Sequence, residues 1–358
     1  MKQRIYLDHA ATTPVLPCAR AAMMEAMEHW ANPSSPHAEG RAARTALEEA
    51  RERIKAALDW RHDVIFTSGA SEAVQMVADR ARVGRRLVGA TEHAIIPHAL
   101  GSGAEVLPVD GGGIIRFDAL EAALATGPAL VAIQQVNNET GVIQPLDEIA
   151  RRVRAAGSLL LADCAQSAGK LPLPDADFIA LAAHKLGGPP GIGALLVRDL
   201  ATLSPSGGQE RGYRRGTQDV PAIAGFAAAL ASGEFATAIP RLAGLRRRLE
   251  DGVRAAGGLV IAEGSPRIAN IGSVAVPGAN RASLLVQFDL AGFAISAGSA
   301  CSSGKMQESH VLAAMGIDPA IAGGALRISF GPSTTEADVD AFLVEWRRIA
   351  GRQAARAA

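Results

Sequence analysis

Short apolar runs alternate with amphipathic stretches through the first two-thirds of the chain. Apolar runs bounded by polar or glycine-rich residues are typical of buried strands, and apolar residues spaced three or four apart are typical of helices. The predicted strands are 64–67, 87–89, 129–136, 159–163, 178–181 and 192–197, and helices between them include 71–82 and 145–156. This alternation predicts an α/β fold with a mainly parallel sheet, which binds ligands at the carboxyl ends of its strands.

The pattern changes after about residue 220. An alanine-rich helical region, 220–256, is followed by strands and helices that no longer alternate regularly. The predicted elements there are the strands 270–276 and 325–330 and the helices 281–291 and 335–349. We therefore expect a large domain over 16–235 and a smaller α+β domain formed by 1–15 together with 236–358.

The charge balance argues against polyanionic partners. Lys+Arg and Asp+Glu number 36 each, so no net field attracts nucleic acid or an anionic membrane. No run has the length of a membrane span, and the N-terminus has no signal-peptide core. The cysteines are few and odd in number, namely Cys18, Cys164 and Cys301, which argues against a disulfide framework. We expect a cytoplasmic protein without a nucleic-acid or membrane partner.

A lysine and an aspartate follow two of the predicted strands. Lys185 comes after the apolar run 178–183 and precedes a tight loop rich in glycine and proline, and Asp163 closes the run 159–163. Enzymes that use pyridoxal 5'-phosphate (PLP) need a lysine for the Schiff base and a carboxylate for the pyridine nitrogen. The two residues match that pair, although Lys185 could also be a surface lysine at a strand end and Asp163 a helix N-cap.

The segment 67–72, Thr-Ser-Gly-Ala-Ser-Glu, joins a predicted strand to a predicted helix. The N-terminus of a helix offers free backbone N–H groups and a favourable dipole to an anion. Ser71 adds a hydroxyl. This segment is a candidate phosphate site, and the alternative is an ordinary capped helix.

Taken together, these motifs resemble a known family. The chain resembles the class-V aminotransferase-fold enzymes and, more narrowly, the long-loop cysteine desulfurases of iron–sulfur cluster assembly. The resemblance implies a PLP-dependent transferase of fold type I. The segments that carry it are 5–14, 32–35, 91–93, 136–141, 184–193, 211–217 and 296–305.

The resemblance also implies roles for individual residues. Lys185 would carry PLP and act as the base, His93 would stack on the ring, and Cys301 would accept the substrate sulfur as a persulfide. Arg327 would bind the substrate carboxylate, and Asn138 would contact both substrate and cofactor. The residues implied to hold the cofactor are Ala70, Ser71, His93, Asn138, Asp163, Gln166, His184, Lys185 and Thr217.

The implied reaction converts L-cysteine to L-alanine and passes sulfur through Cys301 to an acceptor or iron–sulfur scaffold protein. Thr217 would reach the phosphate of a neighbouring subunit, which implies a homodimer. The alternatives are a selenocysteine lyase, another enzyme of this fold such as a transaminase, and a non-catalytic scaffold of a sulfur relay. A transaminase needs no cysteine in a loop, so Cys301 favours the desulfurase, and we expect Cys18 and Cys164 to be structural.

Three features depart from the family pattern. Relatives usually carry a serine near the phosphate-site histidine, where this chain has Ala182 and Ala183. Pro332, after Gly331, stands where relatives often have a second arginine. The C-terminus is short compared with relatives whose tail docks the cluster scaffold, so we expect weaker docking of such a scaffold.

Overall fold

The computed structural model describes residues 4–297 and 308–357. Its strands are β1 (Ile5–Tyr6), β2 (Asp63–Thr67), β3 (Arg85–Gly89), β4 (Glu105–Leu107), β5 (Ala129–Gln134), β6 (Leu159–Asp163), β7 (Phe178–Ala182), β8 (Gly193–Val197), β9 (Leu259–Val260), β10 (Ile271–Ala275), β11 (Phe293–Ala294) and β12 (Ala325–Ser329). Its α-helices are α1 (Pro17–Glu28), α2 (Ala38–Ala57), α3 (Ala70–Arg80), α4 (Ile95–Leu100), α5 (Phe117–Leu124), α6 (Leu146–Ala155), α7 (Val220–Ala231), α8 (Glu234–Ala255), α9 (Arg281–Leu290), α10 (His310–Ala314), α11 (Pro319–Ala322) and α12 (Glu336–Ala357).

The described residues form a seven-stranded sheet in the order β2-β8-β7-β6-β5-β3-β4. The pairs from β7 to β4 are parallel, and every residue of β5 and β7 is buried, as expected for a sheet covered on both faces. The prediction of an α/β fold with a mainly parallel sheet is confirmed. The sequence did not indicate that β8 runs antiparallel to both β2 and β7.

The C-terminal part forms smaller sheets. Strand β10 pairs antiparallel with β12 and β9, and β1 from the N-terminus pairs in parallel with β11. Asp8, just after β1, forms a further bridge with Ser329 at the end of β12. The N-terminal segment thus lies against the C-terminal strands, while the exact boundaries 16–235 and 236–358 stay a prediction.

The helical region 220–256 divides into α7 and α8. Asp219 caps α7 by accepting a hydrogen bond from Ala222 N–H, and Gly233 adopts a left-handed φ of 62° between the two helices. Among the described residues, no single helix has the length and apolarity to cross a membrane. The pair α7 and α8, bent by 51°, would meet that test only jointly, by length and composition.

The helix α12 extends further than the predicted 335–349 and packs against the C-terminal sheets. Phe342 and Trp346 on its buried face stack on Phe288 of α9, with ring centroids 4.8 and 6.1 Å from that of Phe288. This aromatic cluster also includes Phe293 of β11 and contributes large apolar area to the core of the C-terminal part.

Candidate active site

The carboxyl ends of four strands meet at one edge of the large sheet. His93 follows β3, Asn138 follows β5, Asp163 ends β6 and Lys185 follows β7. The charges of Lys185 and Asp163 both act on His93, and that of Asp163 acts on Lys185. The structure therefore brings these four predicted residues together at the edge where a ligand of such a sheet binds.

Lys185 ends a 3₁₀ turn, Ala183–Lys185, that follows β7 directly. Gly187, with φ of 89°, lets the next loop pass beneath Leu16, since a Cβ there would lie 2.5 Å from Leu16 Cγ. Burial lowers the pKa of Lys185, Asp163 opposes that shift, and Arg327 adds to it. A lysine amine with a lowered pKa is more readily neutral and can act as a nucleophile or base.

Asp163 and Gln166 lie together in the turn after β6. Asp163 Oδ1 accepts a hydrogen bond from Ala165 N–H at 2.9 Å, so the carboxylate also stabilises its own turn. Gln166 donates from Nε2 to the carbonyl of Ala10 at 2.8 Å. Its Oε1 is buried without a hydrogen-bond partner among the residues that the structure describes. A buried amide oxygen in that state leaves an unmade hydrogen bond that a bound ligand can complete.

The candidate phosphate loop joins β2 to α3. Gly69 is the N-cap of α3, and no described side chain caps that end, so the backbone N–H groups of Ala70 and Ser71 remain available. The loop lies close to β8, since a Cβ at Gly193 would be 2.7 Å from Gly69 Cα. Among the described residues, the absence of a side-chain cap favours the phosphate site over an ordinary capped helix.

Glu72, in the first turn of α3, is held by two partners. It accepts hydrogen bonds from Ser68 N–H and from Arg214 Nε. Burial alone would raise the pKa of Glu72, but these two partners lower it overall. The pair fixes the phosphate loop against the segment that leads to Thr217.

His184 lies between Ala183 and Lys185 and is half-buried. Its Nδ1 lies 3.2 Å from the Thr12 hydroxyl. Burial lowers the pKa of His184 to about 4, with Lys185 and Lys170 acting in the same direction. The ring is therefore neutral near pH 7 in the ligand-free chain and offers an uncharged N–H to an anion.

His93 is exposed at the mouth of this edge. Its Nδ1 lies 3.3 Å from Ile95 N–H, which orients the ring at the start of α4. Burial and then the charge of Lys185 lower the pKa of His93. A neutral ring at the mouth can cover a planar cofactor, as the resemblance implies.

Arg327 on β12 faces the same edge from the C-terminal part, with only 4% of the residue exposed. Its Nη1 donates to the carbonyl of Asn138 and its Nη2 to Asp8 Oδ1, each at 2.8 Å. Asn138 is thus in contact with Arg327, through its backbone. The pairing with Asp8 was not expected from the sequence.

The structure bears unequally on the predictions for Thr217 and for the three cysteines. Thr217 is exposed on the connection to α7, and a single chain does not test whether it reaches a second subunit. Cys301 lies outside the described residues. Cys164 is buried beside Asp163, and burial raises the pKa of its thiol, which disfavours the reactive thiolate. Cys18 is half-buried on α1.

Sequence reasoning assigned no role to two buried charged residues near the site. Glu92 has both carboxyl oxygens buried without a partner among the described residues, and burial raises its pKa well above the ordinary value. Lys170 lies over the Phe235 ring at 4.8 Å, and burial lowers its pKa to about 7. The motif 91–93 contained a signal for Glu92, whereas nothing in the local pattern marked Lys170 as buried.

Comparison with known proteins agrees with the geometry. Residues 5–342 match the model of the family described as aminotransferase class-V. The chain is 40% identical to the IscS-like cysteine desulfurase of Mycobacterium tuberculosis, over 94% of each chain. It is 37% identical to a cysteine desulfurase of Cereibacter sphaeroides, over 95% of this chain and 94% of that protein.

The fold agrees as well. The structure of a NifS-like protein from Rickettsia africae superposes with a TM-score of 0.88 at 29% identity, covering 97% of this chain and 99% of that one. The family match, residues 5–342, spans the strands and loops that build the site. The chain therefore belongs to the aminotransferase class-V family, and within it to the cysteine desulfurases.

Proposed function

We propose that this protein is a PLP-dependent cysteine desulfurase. It converts L-cysteine to L-alanine and passes the sulfur through Cys301, as a persulfide, to an acceptor protein for iron–sulfur cluster or thio-cofactor synthesis. The observation that carries the proposal is the placement of Lys185 and Asp163 at the ends of adjacent parallel strands, with the Arg327 guanidinium acting on the same lysine.

The residues present fit PLP. Lys185 offers an amine of lowered pKa, and Asp163 offers a carboxylate for the pyridine nitrogen. Gln166 adds a buried Oε1 that has no hydrogen-bond partner among the described residues. The uncapped N-terminus of α3, at Ala70 and Ser71, and the neutral ring of His184 would hold the phosphate. When bound, PLP supplies an electron sink for the charge left at the substrate Cα.

The chain's own residues would perform the remaining tasks. Arg327 binds the substrate carboxylate and so orients the Cα–H bond toward Lys185 Nζ, which accepts that proton. His93 covers the mouth and limits access of water. The Cys301 thiolate attacks the substrate Sγ, the Cβ–Sγ bond breaks, and Cys301 keeps the sulfur. One proton then adds at Cβ, and Lys185 returns the proton it accepted to Cα, which completes alanine.

The assembly belongs to the same proposal. We propose a cytoplasmic homodimer in which Thr217 contacts the phosphate bound by the partner. The exposure of Thr217, on the segment that Arg214 fixes against the phosphate loop, supports this arrangement. Light scattering on the cofactor-loaded protein tests it, and a monomer that retains the cofactor would contradict it.

The decisive experiment compares the parent protein with Cys301→Ser. The parent should release alanine and sulfide from L-cysteine in the presence of a thiol reductant, and the variant should release neither while it keeps the visible absorbance of bound PLP. A serine hydroxyl is a far weaker nucleophile than a thiolate and cannot carry a persulfide. Cys164→Ser is the matched control and should retain activity.

Three results would contradict the proposal. Turnover of cysteine by Cys301→Ser at the parent rate would place the nucleophile elsewhere. Parent protein that binds PLP but turns over selenocysteine alone would favour the lyase alternative. A parent that never binds PLP would favour the scaffold alternative.

A further inference from the structure

The contact between Asp8 and Arg327 plays no part in the roles described so far. Arg327 Nη2 and Asp8 Oδ1 are 2.8 Å apart, although the residues are 319 positions apart in the chain. The Arg327 side chain is 4% exposed, whereas that of Asp8 is 20% exposed. The guanidinium is therefore enclosed, whereas the carboxylate that pairs with it is partly exposed.

The backbone of Asp8 is held firmly. Its carbonyl accepts hydrogen bonds from Ala11 N–H and Thr12 N–H, and from the Tyr6 hydroxyl at 3.2 Å. Asp8 also bridges to Ser329, two residues beyond Arg327 on the same strand. The backbone of Asp8 is thus held against β12 by the fold, and its position does not depend on the ion pair.

Arg327 retains capacity for a second anion. A guanidinium has five N–H donors, and one is used by the Asn138 carbonyl and one by Asp8. Its Nε is buried without a hydrogen-bond partner among the described residues. A ligand carboxylate can therefore bind Arg327 while Asp8 stays in contact, at the cost of placing two carboxylates beside one guanidinium.

We propose that Asp8 is a positioning residue that serves as the resident counter-ion of Arg327 and weakens the binding of any carboxylate ligand there. The inference rests on the proposed assignment of Arg327 to the substrate carboxylate. A buried guanidinium without a partner is strongly destabilising, so Asp8 keeps Arg327 in place when no substrate is bound. The same negative charge repels the incoming carboxylate, which favours release of the amino-acid product.

The charged groups around Arg327 identify Asp8 as its counter-ion. The field of Arg327 also acts on Tyr6, His93, Lys185 and Glu139. Burial raises the pKa of Glu139, which reduces its charge. Within the described part of the chain, Asp8 is the carboxylate at ion-pair distance from Arg327.

The test measures ligand affinity by calorimetry on the cofactor-loaded protein, with three related probes. L-Alanine carries amine and carboxylate, propanoate lacks the amine, and ethylamine lacks the carboxylate. Asp8→Asn keeps the shape of the side chain and an acceptor for Arg327 but removes the charge. It should bind propanoate and L-alanine about tenfold more tightly than the parent, or about 1.4 kcal/mol, and ethylamine unchanged.

The controls make the outcome decisive. Asp79→Asn changes an exposed aspartate on α3 and should leave all three affinities at the parent values. If Asp8→Asn fails to fold, Asp8→Ser removes the same charge and should show the same selective gain. Equal or weaker binding of propanoate and L-alanine in the charge-removing variant, or a parallel gain for ethylamine, would overturn the inference.

Failure of the proposed function would look different. A parent protein that does not turn over cysteine, with the propanoate effect of Asp8→Asn intact, would reject the desulfurase and keep the counter-ion. Normal turnover of cysteine, with no effect of Asp8→Asn on propanoate binding, would keep the desulfurase and reject the counter-ion role of Asp8.

Discussion

The cofactor end and the carboxylate end of this site are built on opposite principles. At the cofactor end, the pKa values of Lys185 and His184 are lowered, and the buried Gln166 Oε1 has no hydrogen-bond partner among the described residues. At the carboxylate end, Arg327 is already paired with Asp8 and with the Asn138 carbonyl. A bound cofactor completes the first end. A ligand at the second end must share an arginine whose charge is already paired with a carboxylate of the protein.

This difference has an energetic reason. A buried amine or amide can stay uncharged or unpaired at moderate cost, because burial shifts the pKa or because one hydrogen bond is missing. A guanidinium cannot lose its proton in a protein, so its burial requires an anion at all times. The chain therefore needs a resident carboxylate only at the Arg327 end.

The largest expected effect separates the two ends. Lys185→Ala should abolish turnover and the absorbance of covalently held PLP, because Lys185 supplies the amine that both require. Propanoate binding should persist, since Arg327 and Asp8 do not depend on Lys185 for their contacts. Absorbance spectra and calorimetry on the same sample measure both. Loss of propanoate binding as well would show that the two ends are not independent.

Removing the arginine should destabilise the fold itself. Arg327→Met leaves Asp8 without its ion pair, and we expect a loss of about 2–3 kcal/mol, below the range for fully enclosed pairs because the Asp8 side chain is 20% exposed. The midpoint of thermal unfolding measures the loss. Asp8→Asn combined with Arg327→Met should recover part of it, since no unpaired charge remains. A double variant no more stable than Arg327→Met would contradict the counter-ion role.

Glu92 provides a test of the cofactor end through the pH dependence of folding stability. Burial raises the folded-state pKa of Glu92 above the ordinary 4.5, so the folded chain binds that proton more tightly than the unfolded chain. The contribution of Glu92 to the stability of the parent should therefore fall as the pH rises above 4.5, by up to about 1.4 kcal/mol per pH unit until the folded-state pKa is passed. Glu92→Gln removes this titration.

The measurement is the unfolding midpoint of both proteins at about pH 5 and about pH 8. The variant should gain stability relative to the parent at the higher pH and show little difference at the lower one. An equal effect at both values would mean that Glu92 is ionised throughout or that the amide disturbs packing.

The smallest expected effect concerns the phosphate. Ala182→Ser restores a hydroxyl at the end of β7 and should slow the release of PLP, because one hydrogen bond contributes about 0.5–1.5 kcal/mol, and more to a charged group. Dialysis against inorganic phosphate, followed by absorbance, measures the release. Ala183→Ser is the control, since Ala183 is fully buried and its Cβ lies close to Gly188. No change in Ala182→Ser would show that backbone N–H groups already hold the phosphate.

The sequence was sufficient for much of the cofactor end. The run 159–163 became β6 without adjustment, and the neighbouring run became β7, so Asp163 and Lys185 met at one edge. Local hydrophobic period and strand direction determine that outcome, because parallel strands end at the same side of a sheet. The family motifs then named residues such as His93 and Ser71 whose local pattern alone was ambiguous.

Only the tertiary structure decided the carboxylate end and the charge state of the buried acids. An apolar run carries no direction, so the antiparallel course of β8 could not be inferred from its residues. Asp8 and Arg327 lie 319 positions apart, and the pairing follows from the packing of β1 and β12 rather than from any local signal. Glu92 stands in a recognisable motif, but the rise of its pKa follows from burial, which depends on every element packed around it.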